Sequence, residues 1–424
     1  MRVELRAPRR VRAMGVPPIP RSETRSSPAP IGRKVPSARN GYPAAMRHAD
    51  HVLLVPGFFG FGSFGRPGGP RIVYFDRVMK ALVSARRELR GRIHVHEPPP
   101  TGSLETRVRS LQDALLQLLG GALLRGESRR GRPRIHLIGH STGGLDARLL
   151  LNLRYHFKGE DPALRERLAE HVGTVVTLSA PHHGTPIAGS LVHGLSHLLL
   201  EGMSLATILA AAGQLRRRLG LPGLSFLVSL FEAVAPRRNV NAPAIALLAG
   251  MDEETARQIA RFRGMVMSDT RLLHDLAPER MAQLNARLGE GELGRLVQLV
   301  TVAPRPTLWA GLHGLDRRAA YALCYAATAS EAFRPDRFPV GPWIAARKPG
   351  TERAAVEDAP RANDGIVPAS SQTLAGRAAR LVLADHLDVI GHFEWRWNTT
   401  LFKSGAGFGR REFMALWRFV AEAL

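Results

Sequence analysis

The stretch Gly139-His140-Ser141-Thr142-Gly143 constrains this chain more than any other. The apolar run Ile135-His136-Leu137-Ile138 precedes it, and Leu145-Asp146-Ala147-Arg148-Leu149-Leu150-Leu151 follows. The pattern predicts a buried strand, a sharp turn and an amphipathic helix. A serine at the apex of such a turn sits on strained backbone with its hydroxyl presented. Glycines two residues to either side leave room where side chains would strike the strand or the helix. The Thr142 N–H falls at the helix start, where it can stabilise an oxyanion. The pentapeptide alone arises by chance in about one chain in five of this length and glycine content. A turn whose serine only caps a helix is the competing reading, and the flanking strand and helix weigh against it.

A second oxyanion donor belongs earlier in such a chain. His51-Val52-Leu53-Leu54-Val55 reads as a buried strand, followed by the loop Pro56-Gly57-Phe58-Phe59-Gly60-Phe61-Gly62. Phe58, just after the glycine, is the candidate donor through its backbone N–H. Without Ser141 the same segment would read as an aromatic, glycine-rich surface loop.

The acid and base come late. Asn363-Asp364-Gly365-Ile366-Val367-Pro368 places a carboxylate in a turn beyond an apolar stretch, Tyr321 to Ala327, that reads as a strand. Leu381-Val382-Leu383-Ala384 reads as another short strand, and Asp385-His386-Leu387-Asp388 follows at once. The order Ser, Asp, His, each just beyond a strand, is what a hydrolase of α/β architecture requires. His386 would take the Ser141 proton and return it to the leaving group, while Asp364 fixes the imidazole tautomer. His392 competes for the role of base, because it shares the terminal loop. Asp358, Glu357 and Asp385 compete for the role of acid, although none sits in so compact a turn. His182 and His183 are expected to shape the loop beside the site. Asp146 is expected to pair with Arg148 or a nearby arginine.

Taken together, these segments resemble the bacterial triacylglycerol lipases and esterases of the α/β-hydrolase fold. The resembling pieces are Val55-Pro56-Gly57-Phe58, Gly139 to Leu145, Leu178-Ser179-Ala180-Pro181-His182-His183-Gly184-Thr185, Asn363 to Val367 and His386-Leu387-Asp388. They span most of residues 51–400. The resemblance implies a mostly parallel central sheet flanked by helices, with a helical cap or lid insertion. It implies Ser141 as nucleophile, Asp364 as acid, His386 as base, and Phe58 and Thr142 as the oxyanion hole. Two departures stand out. The family usually has His-Gly where this chain has Pro56-Gly57, which changes how the loop is anchored. Many relatives also hold a structural calcium with an aspartate at the position of Asp388. Another of their ligands, a glutamine carbonyl, falls at about His392 here, and Asp336 and Asp358 both compete as the second carboxylate. Imidazole is a poor ligand for an oxygen-seeking ion, so the expectation is a site without calcium and without any other cofactor.

Domain organisation follows from composition. Residues 1–50 are rich in Arg, Pro and Ser and lack apolar periodicity, so they read as a disordered basic extension. Met46, just before the first strand, is expected to be where translation begins, with cleavage of the arm as the other expectation. Residues 51–424 read as one hydrolase domain, because strand and helix alternate from residue 51 to 180 and imply a parallel sheet. Residues from about 187 to 300 read as the cap insertion. Its apolar runs Leu198 to Leu200, Met203 to Ala212 and Leu224 to Val234 are too short to span a bilayer. An ordinary core helix pair is the other reading of that stretch. Cys324 is the only cysteine, which excludes an intramolecular disulfide, and it reads as a buried strand thiol.

The net charge of +23 is carried mostly by arginine. A basic surface attracts anionic lipid head groups or nucleic acid, but the chain carries no nucleic-acid motif. The expected partners are therefore a lipid or ester substrate and, through the cap, a membrane or lipid surface; oligomeric state is left open. No segment suits a secretory signal, so a cytoplasmic or membrane-surface placement is expected, although members of the resembled family are often exported. Two other functions use the same residues. A serine acyltransferase would admit an alcohol or amine in place of water. A non-catalytic lipid-binding protein of the same fold could dispense with part of the triad, yet all three residues are present.

Overall fold

The continuous apolar runs form strands covered on both faces, as a parallel sheet demands. The computed structural model describes residues 50–66, 68, 71–125, 132–193, 252–289, 294–306, 317–329, 341–344, 361–374, 377–393 and 402–424. The basic extension up to residue 49, the three apolar runs between residues 198 and 234, and Asp336, Glu357 and Asp358 lie outside the described residues.

The sheet strands are β1 (Asp50–Val55), β4 (Ile93–Val95), β5 (Arg134–His140), β6 (Val172–Leu178), β7 (Arg295–Val302), β8 (Trp343–Ile344) and β9 (Ala379–Leu383). They pair in the order β4-β1-β5-β6-β7-β9-β8, every pair parallel. Two short strands, β2 (Ser63–Phe64) and β3 (Ile72–Val73), form a separate antiparallel ribbon. The chain steps from β1 outward to β4, then returns past β1 to β5 and continues to β6. With right-handed crossovers, that reversal puts the helix after β1 on one face and those after β4 and β5 on the other. Accordingly α1 (Asp76–Ala85) packs on the C-terminal helix (Arg410–Ala423), while α2 (Leu104–Leu124) packs on α3 (Thr142–Leu151). The crevice beyond the carboxyl ends of β1 and β5 is thus the switch point where ligands of such sheets bind. This is the α/β-hydrolase fold.

Two expectations are corrected. Tyr321 to Ala327 is not a strand but part of a helix, Arg317–Thr328. Tyr321 and Tyr325 are buried four residues apart while Leu323 is 73% exposed, which is helical spacing. The alanine-rich run favours a helix, and a short apolar run does not by itself distinguish the two. Cys324 is therefore a partly buried helical thiol, its pKa pushed up to about 11 by burial. The stretch from about 187 to 300 also contains most of β7, which stands in the sheet between β6 and β9. Helices Pro186–His193, Glu253–Ser268, Arg271–Asp275 and Pro278–Leu288 are described within that stretch. Among the described residues no helix is long and apolar enough to cross a membrane.

Candidate active site

The turn between β5 and α3 carries the strain that its sequence predicts. Ser141 adopts φ 55° and ψ −130°, a region that residues with a Cβ seldom occupy. Close packing explains the glycines around it. A Cβ at Gly143 would lie 2.1 Å from the Val55 carbonyl oxygen, and one at Gly139 would lie 2.4 Å from the Gly143 backbone. The serine is therefore pinned between the ends of β1 and β5.

The loop after β1 lies directly against it. A Cβ built on Gly57 would meet Ser141 Cβ at 2.5 Å and Ser141 Oγ at 3.0 Å. Phe59 N–H donates to the Pro100 carbonyl at 3.2 Å and Gly60 N–H to the Gly57 carbonyl at 3.0 Å. Between them, the Phe58 N–H has no acceptor among the described residues, and neither has the Thr142 N–H that opens α3. Two unspent backbone donors thus stand beside one serine, as an oxyanion hole requires.

Asp364 and His386 meet. His386 Nδ1 lies 2.8 Å from Asp364 Oδ2 in a buried contact, and the His386 N–H donates to the Asp364 carbonyl at 3.0 Å. The carboxylate is tightly held. Its Oδ1 accepts the N–H groups of Ile366 and Val367 at 3.0 and 2.8 Å, closing a turn. Its Oδ2 accepts from the Thr301 hydroxyl at 2.6 Å. Thr301 in turn shares a 2.8 Å hydrogen bond with Ser179, and Gln372 Nε2 donates to the Thr301 carbonyl at 3.0 Å. The carboxylate is fully buried, and these donors fix its orientation toward His386. Sequence reasoning missed Thr301, Ser179 and Gln372. The signal for Thr301 was the apolar run Leu296 to Val302, which ends in the acid's neighbourhood.

Of the competing residues, Asp385 and His392 are among those described. Asp385 Oδ1 accepts the N–H groups of Leu387 and Asp388, both at 3.0 Å, and burial pushes its carboxyl up to about 6. His392 is buried, and that burial, with Arg77 nearby, brings its imidazole down to about 4. The contact with Asp364 belongs to His386. His182 and His183 shape the adjoining loop. The His182 carbonyl accepts from Arg148 Nη1 at 3.2 Å and Asn285 Nδ2 at 2.9 Å, and His183 Nε2 lies 3.1 Å from the Thr373 carbonyl.

Asp146 pairs with Arg107 rather than Arg148. Arg107 Nη2 stands 2.6 Å from Asp146 Oδ2, and both side chains are fully buried. The same guanidinium donates to the carbonyls of Pro56 and Pro99, each at 2.9 Å. It therefore fastens the Phe58 loop, at its proline, to the helix behind Ser141. Removing one partner strands a buried charge. Arg107→Met or Asp146→Asn is expected to cost about 3–5 kcal/mol in urea unfolding; a loss below about 1 kcal/mol would mean that the pair does not hold the loop.

At the position where the resembled family holds calcium, the described carboxylates are engaged with backbone. Asp388 Oδ2 accepts the Asp385 N–H at 3.0 Å, so the two carboxylates close their own turn. His392 offers a nitrogen donor where calcium favours oxygen. Among the described residues no three His, Cys, Asp or Glu side chains converge on a metal site.

Comparison with known proteins adds the following. The PGAP1-like alpha/beta domain family matches residues 101–197, a span that contains Ser141. No curated protein sequence matches the chain. Among solved structures, the chain is similar to EstA from Clostridium botulinum at 17% identity, over 89% of this chain and 88% of that one, with a TM-score of 0.46. It is similar to lipase 1 from Pelosinus fermentans at 14% identity, over 88% and 99%, with a TM-score of 0.44. It is also similar to Staphylococcus hyicus lipase at 16% identity, over 90% and 97%, with a TM-score of 0.42.

Proposed function

We propose that this chain is a serine hydrolase of carboxylic esters, a lipase or esterase working through an acyl-enzyme on Ser141. The observation that carries this reading is the buried 2.8 Å contact between His386 and Asp364. It belongs to a chain whose serine turn is strained and packed against a loop with an unspent backbone donor. The motif resemblance to bacterial lipases and esterases supports the substrate class.

In the proposed reaction, Ser141 Oγ attacks the ester carbonyl carbon while its proton passes to His386 Nε2. The carbonyl electron pair moves onto oxygen, and the Phe58 and Thr142 N–H groups stabilise that charge. Collapse of the intermediate breaks the C–O bond, and the imidazolium returns its proton to the departing alcohol. Water then repeats the sequence on the acyl-enzyme, with His386 as base, and releases the carboxylic acid. Asp364 holds Nδ1–H throughout and stabilises the imidazolium.

Hydrolysis of p-nitrophenyl esters of increasing chain length tests the reading. Release of p-nitrophenol is expected across the series, and a maximum at long chains, rising above the micellar limit, would specify a lipase. A maximum at short chains would specify an esterase. Inactivity on every chain length would contradict the reading.

A further inference from the structure

Two buried side chains that the acyl-transfer steps do not use connect the Phe58 loop to the His386 loop. Tyr74, just after β3, is buried, with its ring edge-on to Phe61 at 5.6 Å. Its phenol oxygen faces the Gly57 backbone and lies 3.1 Å from His140 Nδ1. Nε2 of the same imidazole lies 2.9 Å from the backbone carbonyl oxygen of His386. The His140 and His386 rings are 4.8 Å apart, centre to centre.

Chemistry fixes the protons along this path. A carbonyl oxygen only accepts, so His140 Nε2 carries the hydrogen. Burial, with His386 and His392 nearby, holds the His140 pKa well below the usual imidazole range. The ring is therefore neutral, Nδ1 is a lone pair, and the Tyr74 hydroxyl donates to it. Burial also raises the phenol pKa, against the opposing charge of Arg107, so Tyr74 keeps its proton. The Tyr74 oxygen thus accepts from the Gly57 backbone and donates to His140 Nδ1, and His140 Nε2 donates to the His386 carbonyl.

We infer that Tyr74 and His140 are positioning residues for the base, holding the His386 backbone in fixed relation to Ser141 and presenting no charge to its imidazolium. The inference rests on the ester-hydrolase reading above. His140 and Ser141 are consecutive, so a bond from the His140 ring to the His386 carbonyl ties nucleophile and base to one short segment. A cation at His140 would oppose the positive charge that must form on His386. Only an imidazole meets both ends. An asparagine side chain reaches about as far as Nδ1 and a glutamine about as far as Nε2, so neither replaces both contacts.

The test measures kcat and KM on a p-nitrophenyl ester for His140→Ala, His140→Gln and Tyr74→Phe, normalised to folded protein. Per folded molecule, His140→Ala is expected to lose about 100-fold in kcat, the scale of a base displaced by about 1 Å. His140→Gln, which restores a donor toward His386, is expected to recover about tenfold of that loss, and Tyr74→Phe to lose about fivefold to tenfold. KM is expected to stay within about twofold, because substrate binding is not touched. A purely structural role would lower the melting temperature while leaving kcat per folded molecule intact, and that result would overturn the inference. Equal losses in His140→Ala and His140→Gln would overturn it too. Should the His140 variants not fold, Tyr74→Phe decides alone, since it removes one hydroxyl. Ser141→Ala run in parallel separates the two readings. Retained hydrolysis there defeats the ester-hydrolase proposal, whereas abolished hydrolysis beside wild-type kcat in the other variants defeats only the positioning.

Discussion

Ser141→Ala is expected to lower kcat for ester hydrolysis by about 10⁵–10⁶-fold while leaving the fold intact. The size of the loss follows from the proposed chemistry. Without Oγ there is no covalent intermediate, and His386 has no nucleophile to activate. A residual acceleration of about 10³–10⁴ over water remains available from the oxyanion donors and from substrate binding. The substitution removes one oxygen from a buried side chain that makes no side-chain hydrogen bond among the described residues, so stability should change little. Strain points the same way, because alanine inherits the unfavourable φ of 55° that serine already bears. Steady-state kinetics with thermal unfolding on the same samples checks both halves. Full activity in Ser141→Ala would transfer the chemistry to another residue.

Gly57→Ala is expected to be the second most damaging single change, at about 10²–10³-fold in kcat. The added methyl would lie 2.5 Å from Ser141 Cβ and 3.0 Å from both Ser141 Oγ and the His140 carbonyl. Real Cβ atoms do not approach another β-carbon as closely as 2.5 Å, so the loop must retreat and carry the Phe58 N–H with it. Arg107 opposes that movement by holding the Pro56 carbonyl. The displacement therefore falls on the nucleophile and the oxyanion donor rather than dispersing along the chain. Because the damage concerns the transition state, kcat should fall with KM nearly constant. An alanine variant with kcat within about threefold of wild type would show that the Phe58 amide is not a donor to the reaction.

The parts of the fold legible in the sequence were those set by local steric rules. The spacing of Gly139, Ser141 and Gly143 has few solutions, because Val55 and the start of α3 press on the turn from both sides. The turn at Asp364 was legible for a similar reason, since its carboxylate bonds the amides two and three residues on. The parts that were not legible depend on contacts between distant residues. Thr301 reaches Asp364 across 63 positions and Arg107 reaches Asp146 across 39. In a chain this rich in arginine, no local rule picks Arg107 over Arg148 as the partner. The helix Arg317–Thr328 failed for another reason, in that its apolar residues fit either period until the burial of Tyr321 and Tyr325 on one side decides between them. His140 was read as part of the serine motif, and its bond to His386, 246 positions away, lies beyond any reading of that motif.

The most direct test of the central claim is to treat the wild-type protein with an alkyl fluorophosphonate and locate the adduct by peptide mass spectrometry. Such reagents phosphonylate a hydroxyl only when a neighbouring base and an oxyanion hole activate it. The account predicts one adduct per chain, on the peptide carrying Ser141, and none in Ser141→Ala. Absence of labelling, or an adduct on any other serine, would contradict it.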